Sequence, residues 1–255
     1  MASGRRLINL TLINRLIKQT DMIKSAPDKM PRQETSPAEQ TRAALVLAAL
    51  KLFGRQGFDG TSTREIAAEA KANIGSIAYH FGGKEGLRAA AADHIVETIQ
   101  AVAGQALGGM QLQGQASPEA ARAQLSTALE RMVGFIVARP EAGEIVQFVL
   151  RELSHPTAAL DRIYDGVFEP THRRLCQIWE QATGEPAESE ATKLVVFTLI
   201  GQVIYFRIGR EAVMRRMGWR EIGNTEAAKV VAAVTSNLGA ILAARNPVAR
   251  KESKR

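Results

Sequence analysis

The chain has a single cysteine, Cys176, in 255 residues, so neither an intramolecular disulfide nor a cysteine-based zinc site can form. Its four histidines, at 80, 94, 155 and 172, show no HExxH or similar ligand spacing, and neither metal nor cofactor is expected. No Ser/His/Asp, Cys/His or Gly-rich phosphate-cradling pattern is present, which argues against an enzyme. No uninterrupted apolar run reaches the roughly 18 residues of a membrane span. Arg15 and Lys18 break the Leu/Ile-rich start, against a signal peptide. A cytoplasmic protein with no membrane partner is the expectation. No stretch alternates with a strand period for long, and there is no internal repeat. What remains is helix.

The net charge is +7, and its distribution matters more than its size. Residues 1–36 hold seven Lys/Arg against three Asp/Glu, and residues 245–255 hold five against one. Residues 91–244 are slightly acidic, with fourteen against seventeen. Positive charge thus gathers in two tails and mildly in residues 37–90, which suits a polyanion at the N-terminal end. Pro27, Pro31 and mixed charges make 1–36 read as a mobile basic arm, a solvated tail in preference to a DNA-gripping one.

Thr61 to Leu87, TSTREIAAEAKANIGSIAYHFGGKEGL, reads as two short helices joined by a tight turn and leading into a third. Ser62 and Glu65 fit a capping box. Ile66, Ala67 and Ala70 share one face, and Asn73 is a good N-cap for the next helix. That helix spaces Ile74, Ile77 and Phe81 to bury one side. Its other side carries Gly75, Ser76, Ala78, Tyr79 and His80, small or hydrogen-bonding groups that allow close approach to a major groove. Upstream, Ser36-Pro37-Ala38-Glu39 is a second capping box, opening a helix with the stripe Leu45, Ala48, Ala49, Leu52 and Phe53 that Gly57 ends. Phe58 is expected to lid this bundle.

In order and spacing, Thr61, Thr63, Ile66-Ala67, Tyr79-His80-Phe81 and Lys84-Glu85-Gly86-Leu87 resemble the helix-turn-helix of TetR-type bacterial repressors. Lys71 stands where that family has a turn glycine, and a left-handed backbone there would cost it about 1 kcal/mol. The resemblance implies double-stranded DNA as a partner, with a palindromic operator. Thr61, Thr63 and Lys84 are then phosphate anchors, and Tyr79 and His80 brace the DNA backbone. Asn73, Gly75, Ser76 and Ala78 lie nearest the base edges. No Arg or Lys projects from the recognition helix, so discrimination must rest on small contacts, methyl packing and DNA shape.

Helices are expected at Lys84 to about Leu107, from Ser117 to Arg139-Pro140, at Glu141 to Leu153, at Thr157 to Thr183, at Glu190 to about Met217 and at Thr225 to Ala244. The order QFVLRELSHPTAALDRIYDGVFEPTHRRL, then GQVIYFRIGREAV, resembles the CecR-like subgroup of the same family. That resemblance implies a cavity for a small-molecule effector in the C-terminal half. Phe148, Arg151, His155, Gln202 and Phe206 are the candidates to line it. Arg151 and His155 read, in preference to ligand contacts, as an internal ion-pair partner and a helix cap. Gln202, an amide inside an apolar run, needs a partner, either a ligand or a helix across a dimer. Cys176 reads as a small core residue.

The last two helices are apolar over wide arcs. They are either interior helices of one domain or the halves of a four-helix bundle with a second copy, and the second is expected. Val196, Val203, Val234, Leu238 and Ile241 are the interface candidates. The fold class is all-α: arm 1–36, helix-turn-helix domain 37–83, helical ligand-binding and dimerisation domain 84–244 entered through its first helix, and basic tail 245–255. The function expected is a repressor released from its operator by a small molecule. The alternative is a ligand-independent nucleoid or assembly factor using the same head.

Overall fold

Residues 36–107 and 117–245 are described by the computed structural model, and among them there are helices and no strand. The arm before Ser36, residues 108–116 and the tail beyond Arg245 lie outside the described residues.

The first helices form where local chemistry asks for them. Helix α1 (Pro37–Gln56) buries Leu45, Ala48, Ala49, Leu52 and Phe53, and stops at Gly57, whose φ is +80°. Phe58 then folds back, its ring 5.4 Å from that of Phe53. Helix α2 (Thr63–Glu69) begins on the Ser62–Glu65 capping box, with both reciprocal hydrogen bonds made. Lys71 turns the chain with φ +52°, the left-handed backbone expected there without a glycine to ease it. Helix α3 (Gly75–Phe81) follows, and Gly82 ends it in the left-handed region. Helix α4 (Lys84–Leu107) leads away from the head.

Beyond it come α5 (Pro118–Ile136), capped by Ser117, and α6 (Ala142–Ser154). The single helix expected over 157–183 is instead three pieces. They are α7 (Ala158–Ile163), a five-residue π turn (Tyr164–Phe168) and α8 (Glu169–Thr183). Gly166 explains the irregularity. A Cβ there would come within 2.7 Å of Val96 on α4, while its carbonyl accepts from Gln100 at 3.0 Å, so the wider turn lets the backbone lie against α4. The helix expected over 190–217 likewise divides at Gly209 into α9 (Glu190–Ile208) and α10 (Arg210–Met217). Helix α11 (Asn224–Ala244) ends the fold.

Side chains collect into two cores. The second holds the buried faces of α5, α8, α9 and α11, with Trp179 fully enclosed. The first joins α1 to α4 with Ile145 and Phe148 of α6 and Ala159 and Ile163 of α7. Helix α6 therefore packs on α1 of the head and α7 on α4, although α5, which precedes them, lies mainly against the second core. Close approach permits this: a Cβ on Gly54 of α1 would stand 3.1 Å from the Phe148 backbone nitrogen. Arg151 then donates to the carbonyls of Gly54 (3.1 Å) and Arg55 (2.7 Å), closing the open end of α1. Leu153 is exposed, because α6 turns Ile145, Phe148 and Glu152 to the packed side.

Candidate nucleic-acid interface

The outer side of α3 is open. Tyr79 is 84% exposed, and Asn73, Gly75 and Ala78 are exposed beside it, with Ser76 and His80 half-buried. Ile77 alone of this helix is buried, and Phe81 is partly so. Ile74, expected on the buried side, is exposed instead: it sits at the helix N-cap, before the turn that carries Ile77 inward. It leaves an apolar side chain open beside Asn73 that periodicity alone assigned to the core. Asn73 does brace the helix start, its Oδ1 accepting from Gly75 N–H at 2.8 Å, so its side-chain amide donors are what it can offer outward.

Thr61 requires a correction as a phosphate anchor. It is buried, and its hydroxyl donates to the carbonyls of Gly57 (2.7 Å) and Leu52 (3.3 Å), tying the α1–α2 connection together. Thr63 is half-buried at the first position of α2. Lys84 sits at the start of α4 with its ammonium 4.1 Å above the Phe58 ring, and Arg42 lies 5.4 Å over Phe81, at the far end of α3. Glu65 is held below the ordinary carboxylate range, first by the Ser62 backbone N–H, next by the Ser62 hydroxyl, and least by nearby Lys84. The face is thus a small-residue helix flanked by cations that rest on aromatic rings.

The five effector candidates are not brought together. Phe148 is buried in the first core, and Arg151 is spent on α1 carbonyls. His155 is exposed at the α6 C-cap, and Phe206 packs against the second core. The Gln202 amide oxygen accepts from Asn237 on α11 at 2.8 Å, so a helix of its own chain meets one side of the amide. Periodicity marked these residues as inward-facing or polar but had no means of saying which neighbour each would meet. A narrow crevice lies elsewhere, between α5, α8 and α9. Leu125, Leu129, Met132, Leu175, Leu199 and Ile200 are among its walls, which are wholly apolar.

The interface candidates also need correcting. Val196, Val203, Val234 and Leu238 are buried in the chain's own second core, and Ile241 is partly buried against it. No surface remains on the first four for a second copy to touch. The opposite face of α9 instead exposes Leu194, Phe197, Tyr205 and Ile208, and that of α11 exposes the small residues Ala232, Ala233, Ser236, Gly239 and Ala240. Both helices are also long and apolar enough to cross a membrane by length and composition, although charged residues interrupt each run. Being apolar on the core face and again on the outer face is what brings them to that threshold.

Comparison with known proteins agrees with this arrangement. The family described as "Bacterial regulatory proteins, tetR family" matches residues 45–91. The domain described as "HTH-type transcriptional dual regulator CecR, C-terminal domain" matches residues 121–245. The HTH-type transcriptional dual regulator CecR of Shigella flexneri is 32% identical over 211 residues, 82% of this chain and 94% of that protein. Among solved structures, a TetR-like transcriptional regulator from Rhodococcus sp. RHA1 superposes with a TM-score of 0.55 at 20% identity, covering 79% of this chain and 96% of that one. AibR, in complex with isovaleryl coenzyme A and operator DNA, superposes with a TM-score of 0.56 at 18% identity, covering 77% and 96%. With a helix-turn-helix head, a helical C-terminal half of CecR type and a relative matched along nearly its whole length, the chain belongs to the TetR family of bacterial transcriptional regulators.

Proposed function

We propose that this regulator is a cytoplasmic repressor that binds a palindromic operator as a homodimer and is released by a small molecule. The observation that carries the DNA half is the open face of α3, where Tyr79 stands out and Asn73, Gly75 and Ala78 present little bulk. Asn73, Ile74, Gly75, Ser76 and Ala78 face the base edges, while Thr63, Tyr79, His80 and Lys84 position the head on phosphates. Thr61 is left out, since its hydroxyl is already used.

Homodimerisation is supported by the outer faces of α9 and α11. Leu194, Phe197, Tyr205 and Ile208 recur at helical spacing on one side, next to a helix whose outer side is small enough for close packing. A second copy of the same two helices would cover both. A short recognition helix reads few base pairs, and two-fold symmetry doubles the contact. The small-molecule half is supported by the apolar crevice between α5, α8 and α9. AibR, which shares the fold, was solved with both isovaleryl coenzyme A and operator DNA, and that pairing of partners supports the same reading here.

The test is selection of bound fragments from a random DNA pool by the purified protein. The expected result is an inverted repeat with half-sites about one helical turn, 34–36 Å, apart or a multiple of it. Fragments without two-fold symmetry would overturn the dimeric operator reading. The alternative, a nucleoid factor without ligand control, predicts binding with no enriched sequence.

A further inference from the structure

The buried stripe of α9 runs through Val196, Leu199 and Val203, with Ile200 half-buried at its edge, and Arg207 follows Val203 by one turn. A guanidinium therefore stands where an apolar stripe ends, against the turn between α5 and α6. Its Nη2 donates to the carbonyls of Arg139 and, at 3.4 Å, Pro140. Its Nε is buried and meets no hydrogen-bond partner. Arg207 forms no ion pair among the described residues. Glu141 is the carboxylate near enough to favour its charge, and it acts from a distance. Burial and then the neighbouring Arg210 both work against the charged form, holding its pKa below the usual arginine range. A buried donor without an acceptor is rare enough in folded proteins to require an explanation.

Its position supplies one. Ile200 and Met132 wall the apolar crevice, Ile200 on α9 and Met132 on α5. Arg207 follows Ile200 by seven residues of α9, two helical turns or about 10.5 Å, and Arg139 lies in the turn just beyond the end of α5, the helix that carries Met132. The crevice and the guanidinium thus lie along the same pair of helices. We propose that Arg207 receives the carboxylate of an amphipathic effector whose hydrocarbon chain occupies the crevice between α5 and α9.

This rests on the effector reading above and adds the ligand's chemistry. Nε and Nη2 form the fork that a carboxylate meets with two parallel hydrogen bonds, a charged acceptor replacing the neutral carbonyls that now hold only Nη2. With Arg207 and Arg210 opposed by Glu141, the local balance is a single positive charge, which a monoanion neutralises and a phosphate dianion exceeds. Val203 is fully buried between Ile200 and Arg207 on the stripe, so a chain reaching both must part α5 from α9. Arg207 also touches the start of α6, where a Cβ on Gly143 would lie 3.6 Å from its Cζ. The far end of α6 is the part bonded to the head through Arg151.

Calorimetric titration of the full chain with decanoate and with decanol tests the proposal. Decanoate should bind at least about tenfold more tightly, as expected for a charge-assisted hydrogen bond. Arg207→Met should abolish that preference while leaving decanol binding unchanged. Arg207→Lys, which keeps the charge but loses the fork, should retain part of it. Equal affinity for the two probes in the unmodified protein, or no binding of either, overturns the proposal without need of a variant. The release reading fails separately: decanoate would show its preference over decanol, yet bind equally well with and without the selected operator DNA.

Discussion

Arg88 on α4 and Glu152 on α6 form a buried ion pair, with Arg88 Nε at 2.9 Å and Nη2 at 2.7 Å from the same Glu152 oxygen. The second carboxylate oxygen accepts from Thr157 at 2.5 Å, just before α7. Arg88 also lies 4.5 Å over the Phe58 ring, which Lys84 approaches at 4.1 Å. Since Arg151 closes the end of α1, two consecutive residues of α6 hold two different helices, α1 of the head and α4 that leaves it. Helix α4 is therefore not the sole rigid connection to the recognition helix, and α6 is a second.

Glu152→Ala should destabilise the protein by about 3 kcal/mol, because removing one partner strands the other as an uncompensated buried charge. Urea unfolding measures it. The double change Arg88→Leu with Glu152→Leu should cost less than the sum of the single changes. A loss below about 1 kcal/mol for Glu152→Ala would mean that solvent reaches Arg88 and screens the pair.

Phe197→Glu on the outer face of α9 should release folded monomers, since Phe197 is exposed in the isolated chain and would be covered by a second copy. Val234→Asp should instead lower stability before it dissociates anything, because Val234 is buried in the chain's own core. Sedimentation combined with thermal melting separates the two outcomes. A Phe197→Glu protein that sediments as a dimer would place the interface elsewhere.

Lys84→Ala should weaken binding to all DNA sequences alike. The dependence of log affinity on log salt should flatten by about 0.9 for each phosphate that the lysine neutralises. Titrations at several salt concentrations measure the slope. An unchanged slope would assign the lysine to its packing on Phe58 alone.

Glu65 offers a pH test of the capping box. Its folded pKa is depressed, first by the Ser62 backbone N–H, then by the Ser62 hydroxyl. The stabilisation it gives is thus fully present above the ordinary carboxylate pKa and is lost as pH falls through the lower folded value. Carboxyl-carbon NMR should show the depressed midpoint. Ser62→Ala should raise it only part of the way, since the larger, backbone contribution survives. A full return to the ordinary range would reverse that ranking.

What the sequence made legible was local. The Ser62–Glu65 box, the stop at Gly57 and the left-handed turn at Lys71 depend on residues within a few positions of one another, and each stands where spacing placed it. Periodicity also identified buried faces, such as that of α1, but a period carries no information on what covers a face. Val234 and Leu238 looked like a seam between copies and are buried within one chain, while Phe148 looked like a cavity wall and packs on the head. Thr61 and Arg151 were polar residues seeking partners, and the carbonyls they found belong to the end of α1. The Gly166 turn was hidden because its cause, Val96, lies far away in sequence.

The coupling between crevice and operator should depend on α6. Ligand can shift the protein away from DNA only by binding one conformation better than the other, and DNA must then weaken ligand binding by the same factor. If α6 carries the displacement, Arg151→Met, which cuts its bonds to the Gly54 and Arg55 carbonyls, should leave each partner's separate affinity within a few-fold of the starting protein. The factor linking them should fall toward one. Titrating decanoate with and without selected operator DNA, in both proteins, gives the two factors directly. If Arg151→Met left the factor unchanged, the displacement would travel by α4 alone, because α4 also joins the two cores by packing against α5.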